Sequence, residues 1–455
     1  MSSPGDPVQR SGPQAPTGAP GPGGAPADAA ARLRDPAYIK LLIVAAVLGV
    51  PVSAAAYGFL ALVSYLQKEL FTHLPHGLGF AAAPAWWPLP MLLIGGGLTG
   101  LAIRYLPGGG GVSPAGGFAM HAPPGAAQLP GVLAAALATL AFGGVLGPEM
   151  PLIALGGGLG VLATRLDRRR QVPGQGVQVL GATGSFAAIS TLLGSPLPGA
   201  FLLMEASGLG GPMMGLVLVP GLVASGVGAL IFIGLDRLTG LGTFALALPG
   251  LPHFSRPDVA EFGWALVIGV AAAVVGPAIH RLGLFLHGYA VKRPLLMAVL
   301  AGLVVALLAV GYTEATGKPG SDVLFSGQDG IGPLVTQAGS YSAGVLVLLA
   351  VCKGLAYAVS LSSLRGGPIF PAVFIGVAGG MALSHLPGLP LVAGLAMGMG
   401  AMMVVMLTLP LTSVLITSLL LGSDAVAAMP LVIVAVAVAY VAAARLAPAP
   451  AAPPR

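Results

Sequence analysis

Charged residues are scarce in this sequence. Only 7% of the 455 residues are Asp, Glu, Lys or Arg, whereas 56% are hydrophobic and the mean hydropathy is +0.93. Because a soluble domain typically has about 25% charged residues, this composition excludes a soluble enzyme. The chain also contains a single cysteine, Cys352. One cysteine excludes both a disulfide framework and a metal cluster held by thiolates.

Glycine and proline, in contrast, are abundant, with 71 and 42 copies, and most are embedded in long apolar runs. At membrane depth these helix breakers are tolerated only where neighbouring protein or a polar cavity satisfies the backbone groups that they set free. The composition therefore predicts an all-α polytopic membrane protein with broken and tilted helices.

The excess of positive charge is small, +6, and the basic residues lie near the ends of predicted helices. This placement favours a role in membrane orientation over nucleic-acid binding. The first apolar segment follows Arg32, Arg34 and Lys40 and is too long for a signal-peptide core. We therefore expect an integral protein of the plasma (inner) membrane with both termini in the cytoplasm.

Fourteen apolar segments predict the helices of a transmembrane domain over residues 36–446. They lie near residues 38–66, 88–106, 130–142, 149–166, 175–193, 197–208, 212–235, 261–290, 294–312, 342–361, 369–384, 390–408, 411–422 and 425–445. Several are shorter than the roughly 20 residues that a spanning helix needs, so we expect some helices to stop inside the membrane. The Pro-rich segments 1–35 and 447–455 are predicted to be disordered tails.

Two motifs occur twice, in the same order. The spacing GPxxPxxxxG begins at Gly147 and again at Gly367. A second pair of similar segments begins at Pro196 and Pro410, separated by nearly the same length of chain as the first pair. This repetition predicts two inverted-topology repeats, about 38–235 and 260–445, and repeats of this kind place a substrate site between them.

Each Gly-Pro pair stands immediately before an apolar helix, and a helix start at membrane depth points free N–H groups and a positive dipole end inward. Two facing starts predict an anion site without Lys or Arg. A cation site would need converging carboxylates or carbonyls, and the apolar segments hold very few acidic residues. For one copy alone, Gly-Pro would indicate an ordinary loop-to-helix boundary; the duplication favours the anion site.

The second copy, Gly366-Gly367-Pro368-Ile369-Phe370-Pro371, resembles the G-x-F-x-P element of the CLC family of chloride channels and chloride/proton antiporters. The segment Gly144-Val145-Leu146-Gly147-Pro148 is similar to that family's G-[KR]-E-G-P element, and Gly109 to Pro114 stands where the family has G-S-G-I-P. The resemblance covers about residues 38–445. It implies a homodimer in the lipid bilayer, with one pathway per subunit for chloride or similar small monovalent anions.

The resemblance also assigns candidate site residues. Backbone amides are expected to bind the anion at Gly111, Val112, Ser113, Leu146, Gly147, Ile369 and Phe370. The family's serine beside the ion aligns with Gly111, although Ser113 lies two residues on and offers a hydroxyl. The family's late tyrosine has no secure match, and Tyr440 is a candidate for lining the pathway.

This sequence departs from the family at both glutamates that carry protons. The gating glutamate position is Leu146, and the inner proton-transfer position is Ala206. Neither side chain titrates, so the resemblance favours passive, channel-like anion conduction.

Glu149 and Glu205 keep an alternative open, because an ionisable residue within a membrane is a candidate for function. Glu149 lies three residues after Leu146, and Glu205 adjoins Ala206, so both could serve as displaced gating or proton-transfer groups of a chloride/proton antiporter. Glu149 could equally stabilise the first turn of a helix, and Glu205 could reach the aqueous interface.

An alternative of another class is an intramembrane enzyme. It is disfavoured because the sequence has no HExxH pair and no paired nucleophile and base. No catalytic residue, metal site or cofactor is therefore predicted. Backbone amides accept chloride, bromide, nitrate and fluoride alike, so the sequence does not rank these anions.

Overall fold

A computed structural model describes residues 34–166, 174–208, 212–239, 248, 251–254 and 256–446. The two predicted tails lie outside the described residues, apart from Arg34 and Asp35.

The first part of the chain is helical and includes one very short helix, α2. Its helices are α1 (Pro36–Lys68), α2 (Leu74–Gly77), α3 (Pro88–Tyr105), α4 (Leu129–Ala141), α5 (Glu149–Leu166), α6 (Gly174–Leu193), α7 (Pro196–Ser207) and α8 (Pro212–Thr239). A π-helical turn, Glu69–His73, joins α1 to α2.

The second part of the chain is also helical and includes one short helix, α11. Its helices are α9 (Val259–Ala290), α10 (Pro294–Thr316), α11 (Gln328–Thr336), α12 (Ala343–Ser363), α13 (Ile369–Leu383), α14 (Leu391–Leu407), α15 (Pro410–Leu421) and α16 (Ala425–Leu446). Each of the fourteen predicted apolar segments corresponds to one of these helices. The prediction of an all-α membrane fold is confirmed. It missed α2 and α11, which are too short to give an apolar segment of their own.

Proline and short capping side chains set where many helices begin. Proline occupies the first turn of α3, α7, α10 and α15, where its missing N–H costs no helical hydrogen bond. At α9, Asp258 accepts a hydrogen bond from the Glu261 amide, and the Glu261 carboxylate accepts one from the Asp258 amide. These two bonds form a capping box.

Seven segments of the described chain are long and apolar enough to cross a membrane. Shorter apolar helices, α4, α13 and α14, lie among them, and the side chains of α13 and α14 are almost entirely buried. A buried helix too short to span must end at membrane depth against other protein. The short helices α13 and α14 therefore lie in the interior of the molecule.

Glycines at equivalent positions pack the two halves in the same way. Gly156 of α5 lies against the backbone of Gly184 in α6, and Gly376 of α13 lies against that of Gly398 in α14; a Cβ at any of the four would overlap the facing carbonyl. Gly156 and Gly376 are separated by the same length of chain as the first pair of motifs, and Gly184 and Gly398 by the same length as the second pair. The duplication found in the sequence thus extends to the closest helix–helix contacts.

Candidate anion site

The two halves of the chain meet where the repeated motifs cross. Gly147, just before α5, and Gly367, just before α13, form an isolated antiparallel bridge. The Gly147 amide donates to the Gly367 carbonyl at 2.8 Å, and the Gly367 amide donates to the Gly147 carbonyl at 2.5 Å. The starts of α5 and α13 are therefore held side by side in the interior.

Polar side chains of α12 fix this crossing. The Ser360 hydroxyl accepts a hydrogen bond from the Val145 amide at 3.2 Å, and the Tyr357 hydroxyl donates to the Pro368 carbonyl at 2.9 Å. Both side chains are buried. The approach to each helix start is thereby tied to one rigid helix, and sequence reasoning missed both residues because they lie in an otherwise apolar stretch.

The Glu149 side chain lies at the start of α13, a helix of the other repeat. It is 0% exposed, and Oε1 accepts a hydrogen bond from the Phe370 amide at 3.0 Å. Its Oε2 is buried and has no hydrogen-bond partner within the described structure. A Cβ at Gly147 or Gly367 would overlap this carboxylate, so glycine is required at both positions. The start of α13 therefore holds an anion that the chain itself supplies.

Several amides predicted to bind the anion have other partners. The Leu146 amide donates to the Gly144 carbonyl at 3.0 Å, and the Gly147 amide is used in the bridge. The Gly111 amide donates to the Gly108 carbonyl at 2.9 Å. In this conformation the predicted donor set loses these three amides, because local turns engage those of Leu146 and Gly111 and the bridge between the repeats engages that of Gly147. The Phe370 amide remains a donor to an anion.

The third predicted segment, around Gly111, is a glycine-rich turn. Gly108 to Gly111 all have positive φ, which only glycine adopts readily. The Ser113 hydroxyl accepts a weak bond from the Ala115 amide and lies 3.4 Å from Nδ1 of His287 in α9. The amides of Val112 and Ser113 have no hydrogen-bond partner within the described chain. They remain available as anion donors.

A cavity of about 60 Å³ lies between this turn and α5. Gly111, Val112, Met150, Arg365 and Gly366 are among the residues that line it. Leu146 is fully buried beside it and contacts Gly366, so the position of the family's gating glutamate is filled by packing.

Arg365 is a partly buried cation that lines this cavity, beside the anion site that the sequence predicts without Lys or Arg. It lies in the loop between α12 and α13, and its Nε is buried without an acceptor. Nη1 donates to the adjacent Leu364 carbonyl at 3.1 Å, and Nη2 makes a long contact of 3.5 Å with the Gly109 carbonyl. Sequence reasoning did not single out Arg365, because a lone arginine between serines and glycines gives the sequence pattern of a surface loop.

Glu205 and Tyr440 lie away from this crossing. The Glu205 carboxylate accepts bonds from the Leu411 amide at 3.0 Å, the Thr412 amide at 2.7 Å and the Thr412 hydroxyl at 2.6 Å. It thus caps the start of α15 in the other repeat. Tyr440 is 42% exposed on the outer surface of α16 and does not line the cavity.

Lys353 is a fully buried cation. It is 0% exposed in α12, and its ammonium donates to the carbonyls of Asp322, Val323 and Leu324 at 2.9, 3.2 and 2.9 Å. The ammonium also lies 4.2 Å from the centre of the Phe374 ring. All three of its hydrogens have acceptors, so Lys353 anchors the loop before α11 to the core.

A larger cavity of about 650 Å³ lies beside that loop and is lined by both acidic and basic side chains. Asp322, Asp329 and Lys68 are among its lining residues. Burial raises the pKa of Asp322 and of Asp329 above the usual value, while the nearby Lys68 lowers that of Asp329. The cavity therefore carries carboxyl groups that hold their protons to higher pH than in water.

Within the described ranges, no group of three or more His, Cys, Asp or Glu side chains is placed to hold a metal ion.

The sequence profile of the family described as "Voltage gated chloride channel" matches residues 119–444. Curated relatives include the YfeO proteins of Escherichia coli (strain SMS-3-5 / SECEC) and of Escherichia fergusonii, provisionally described as ion-transport proteins. Each is 31% identical over 367 residues, which cover 77% of this chain and 81% of the relative.

Solved structures share the fold. A slow cyanobacterial Cl⁻/H⁺ antiporter superposes with a TM-score of 0.71 at 20% identity, covering 89% of this chain and 94% of the antiporter. A CLC-type fluoride/proton antiporter gives 0.61 at 20% identity, covering 89% and 95%, and a eukaryotic CLC transporter gives 0.68 at 14% identity, covering 90% and 72%. At these identities the similarity shows the fold alone.

Proposed function

The chain belongs to the voltage gated chloride channel family and is an integral membrane protein of anion transport rather than an enzyme, and we propose that it is a passive pathway for chloride or similar small monovalent anions. One observation carries the proposal: the start of α13 binds a carboxylate through the Phe370 amide. A helix start that holds a carboxylate offers a diffusible anion the same N–H group and the same positive dipole end.

Glu149 acts as the gate of this pathway. Its carboxylate is fully buried and competes with a transported anion for the Phe370 amide. An anion binds there only when the side chain turns away or loses its charge by protonation. Glu149, three positions after Leu146, thus takes the gating role that the family assigns to the position of Leu146. It does so by binding the Phe370 amide at the start of α13, in the other repeat.

Passive transport follows from what the chain lacks at the second proton position. Ala206 cannot titrate, and the neighbouring Glu205 carboxylate is engaged by three donors at the start of α15. A carboxylate held by several donors is fixed in one position, whereas a proton carrier must exchange partners. Glu205 is therefore a structural cap in this proposal, and no inner carboxylate hands protons to Glu149.

A second candidate is coupled exchange of chloride for protons with Glu149 as the proton carrier. One observation favours it: Oε2 of Glu149 is buried without a donor, so its lone pairs are free to take a proton. This candidate requires a proton path to Glu149 that does not use Glu205.

Flux into liposomes separates the two candidates. Purified protein is reconstituted with a chloride gradient, and chloride and proton movements are recorded together for the wild type, Glu149→Gln and Glu205→Gln. The passive proposal expects chloride flux without uphill proton movement in the wild type. Glu149→Gln should conduct several-fold faster, since a neutral side chain binds the amide about half as strongly.

Glu205→Gln is the matched control because it removes the same charge from the other acid. It should lower thermal stability by about 1 kcal/mol through the weaker cap, with flux unchanged. Sustained uphill proton movement that vanishes in Glu149→Gln would establish the antiporter instead. If the wild type shows no anion flux in any gradient, neither candidate stands.

The proposal also includes assembly and placement. We propose a homodimer in the plasma (inner) membrane with cytoplasmic termini, as the resemblance and the basic residues near both ends of the domain, Arg34, Lys40 and Arg445, imply. Reporter fusions at each terminus test the orientation, and the mass of the protein in detergent micelles tests the dimer.

A further inference from the structure

A groove of about 440 Å³ lies on the outside of the molecule, between α1, α3 and α4. Leu98, Leu101 and Tyr105 of α3 line it and are exposed, and Ala134 and Leu137 of α4 line it as well. All the described residues that line the groove have apolar side chains, apart from the Tyr105 hydroxyl. In an integral membrane protein, an open apolar groove of this kind faces lipid.

The length of the groove matches part of one leaflet. The groove follows α3 from Leu98 to Tyr105, about 10 Å along the helix axis. One leaflet contributes about 15 Å of hydrocarbon, half of a core that is roughly 30 Å thick. Tyr105 ends α3, and tyrosine is enriched where the membrane meets water. The groove therefore runs from the interface toward the middle of the membrane, as a phospholipid acyl chain does.

A cation lies at the interfacial end of the groove. Arg104 is exposed, and its guanidinium lies 5.4 Å from the centre of the Tyr105 ring. Arg104 follows Leu101, which lines the groove, by three residues and Gly100, where a Cβ would meet Leu295 of α10, by four. Residues at these spacings are neighbours on a helix surface. Arg104 therefore lies between the groove and α10.

Two more cations lie at the same end of the helix pair. The contacts that Gly96 and Gly100 of α3 make with α10 step backwards along α10, so the two helices run antiparallel. Continuing this register by one helical turn brings Arg104 level with Lys292 and Arg293, which immediately precede α10. Arg104, Lys292 and Arg293 are called the basic cluster below.

Nothing in the described chain neutralises the basic cluster. Its three side chains are exposed, and no described carboxylate lies within 4.0 Å of their nitrogen atoms. The dipole of α10 disfavours cations at its start, so Lys292 and Arg293 do not serve to stabilise that helix. Membrane orientation favours basic residues on one side but does not require them beside a groove. An anionic headgroup accounts for both their charge and their position.

We propose that the groove and the basic cluster bind one anionic phospholipid, with an acyl chain in the groove and the phosphate at Arg104. A guanidinium offers a phosphate two parallel N–H groups while its face stacks on an aromatic ring, here that of Tyr105. A second copy of the chain fits this surface poorly, because a two-fold axis along the membrane normal would bring two basic clusters together. The inference goes beyond anion transport and does not depend on it.

Native mass spectrometry of the full chain in detergent tests the proposal. The probes are phosphatidylglycerol and phosphatidylcholine with the same acyl chains. The charge variant combines Arg104→Gln, Lys292→Gln and Arg293→Gln. The wild type should bind phosphatidylglycerol about tenfold or more tightly than phosphatidylcholine, and the charge variant should lose this preference, because each basic residue near an anionic headgroup contributes roughly fivefold in affinity.

A matched charge control combines Lys40→Gln, Arg237→Gln and Arg445→Gln. It also removes two arginines and one lysine, from exposed positions on α1, α8 and α16. The preference for phosphatidylglycerol should remain as in the wild type. An unchanged preference in the charge variant, or an equal loss in this control, would overturn the proposal.

Ala134→Trp tests the groove separately, because the larger side chain fills it. Binding of both lipids should weaken severalfold, whereas Ala271→Trp, at an exposed position of α9, should match the wild type. Unchanged lipid affinity in Ala134→Trp would place the lipid elsewhere. A change in oligomeric mass with bound lipid unchanged would assign the groove to a second copy. Either result contradicts the proposal.

Should a variant fail to fold, the wild type gives the answer. Its structure is determined by electron cryomicroscopy in nanodiscs of phosphatidylglycerol. Elongated density along α3 that reaches Arg104 supports the proposal, and an empty groove contradicts it.

Discussion

Gly147 and Gly367, one from each repeat, are joined by a reciprocal pair of backbone hydrogen bonds. The pair aligns the starts of α5 and α13 and leaves room between the glycines for the Glu149 carboxylate. Neither glycine has positive φ. Glycine is needed at these positions for space, because the carboxylate occupies the volume where a Cβ would be.

Gly367→Ala should force the Glu149 carboxylate away from the Phe370 amide, since the new methyl group overlaps it. We expect a loss of about 1–3 kcal/mol of stability, typical of overpacking, together with the faster flux expected for Glu149→Gln. Thermal unfolding and chloride efflux measure the two effects.

Gly379→Ala, in the helix α13 that follows Gly367, is the matched control, because a Cβ there meets no atom within 4 Å. It should be neutral or raise stability by up to about 1 kcal/mol through helix propensity. Equal unfolding temperature and flux for Gly367→Ala and Gly379→Ala would contradict the tight placement of the carboxylate.

Lys353→Met should loosen the loop that precedes α11. The substitution leaves the carbonyls of Asp322, Val323 and Leu324 without their donor, and hydrogen bonds to a charged group contribute about 1.5–3 kcal/mol each. We expect the free energy of unfolding to fall by roughly 2 kcal/mol or more and amide hydrogen exchange in residues 320–326 to become faster.

Lys318→Met is the comparison for that variant. Its ammonium also lies 4.2 Å from the centre of an aromatic ring, that of Tyr341, but its hydrogen bond to Ser340 is at the surface. Lys318→Met should lower the free energy of unfolding by less than about 1 kcal/mol. A larger effect at Lys318 than at Lys353 would show that the buried ammonium does not anchor the loop.

Anion flux should rise as the solution at the larger cavity is acidified. Burial raises the pKa of Asp322 and of Asp329 above the ordinary value of 3.8. As the pH falls through the raised pKa, each carboxylate becomes neutral, and the cavity repels anions less. Because folding raises these two pKa values, the folded state binds more protons than the unfolded state in this range. The free energy of unfolding therefore falls as the pH rises through it.

Asp329→Asn should flatten the pH dependence of flux and stabilise the fold at neutral pH. Asp322 is less suitable for the test because the Tyr341 hydroxyl donates to it at 3.0 Å. Glu314→Gln, at an exposed position near the end of α10, should leave the pH dependence unchanged. Flux measured across a pH series for the three proteins checks the prediction, and a steeper response in Asp329→Asn would refute it.

The helices were predictable because apolar runs and helix-starting prolines are local signals. The repeat was predictable too, since the Gly-Pro motif precedes Gly156 and Gly376 by the same number of residues, and Gly184 and Gly398 precede Pro196 and Pro410 by the same number. The partner of Glu149 was not predictable, because Phe370 belongs to the other repeat and no local pattern indicates which helix start a carboxylate will reach.

Arg365 could have been found from one signal. It stands two residues before Gly367, in the connection that leads to a helix start predicted at membrane depth, where an ionisable residue is a functional candidate by default. The uses of the Leu146 and Gly111 amides could not be predicted because they depend on local turns, and that of the Gly147 amide could not because its acceptor, the Gly367 carbonyl, belongs to the other repeat.

The two capping glutamates connect the repeats in one direction only. Glu149 and Glu205 belong to the first repeat, and each serves a helix of the second. Their counterparts in the second repeat are Ile369 and Leu419, so that repeat returns neither carboxylate. A symmetric framework thus carries an asymmetric arrangement of charge, in which the carboxylates of one half bind the helix starts of the other.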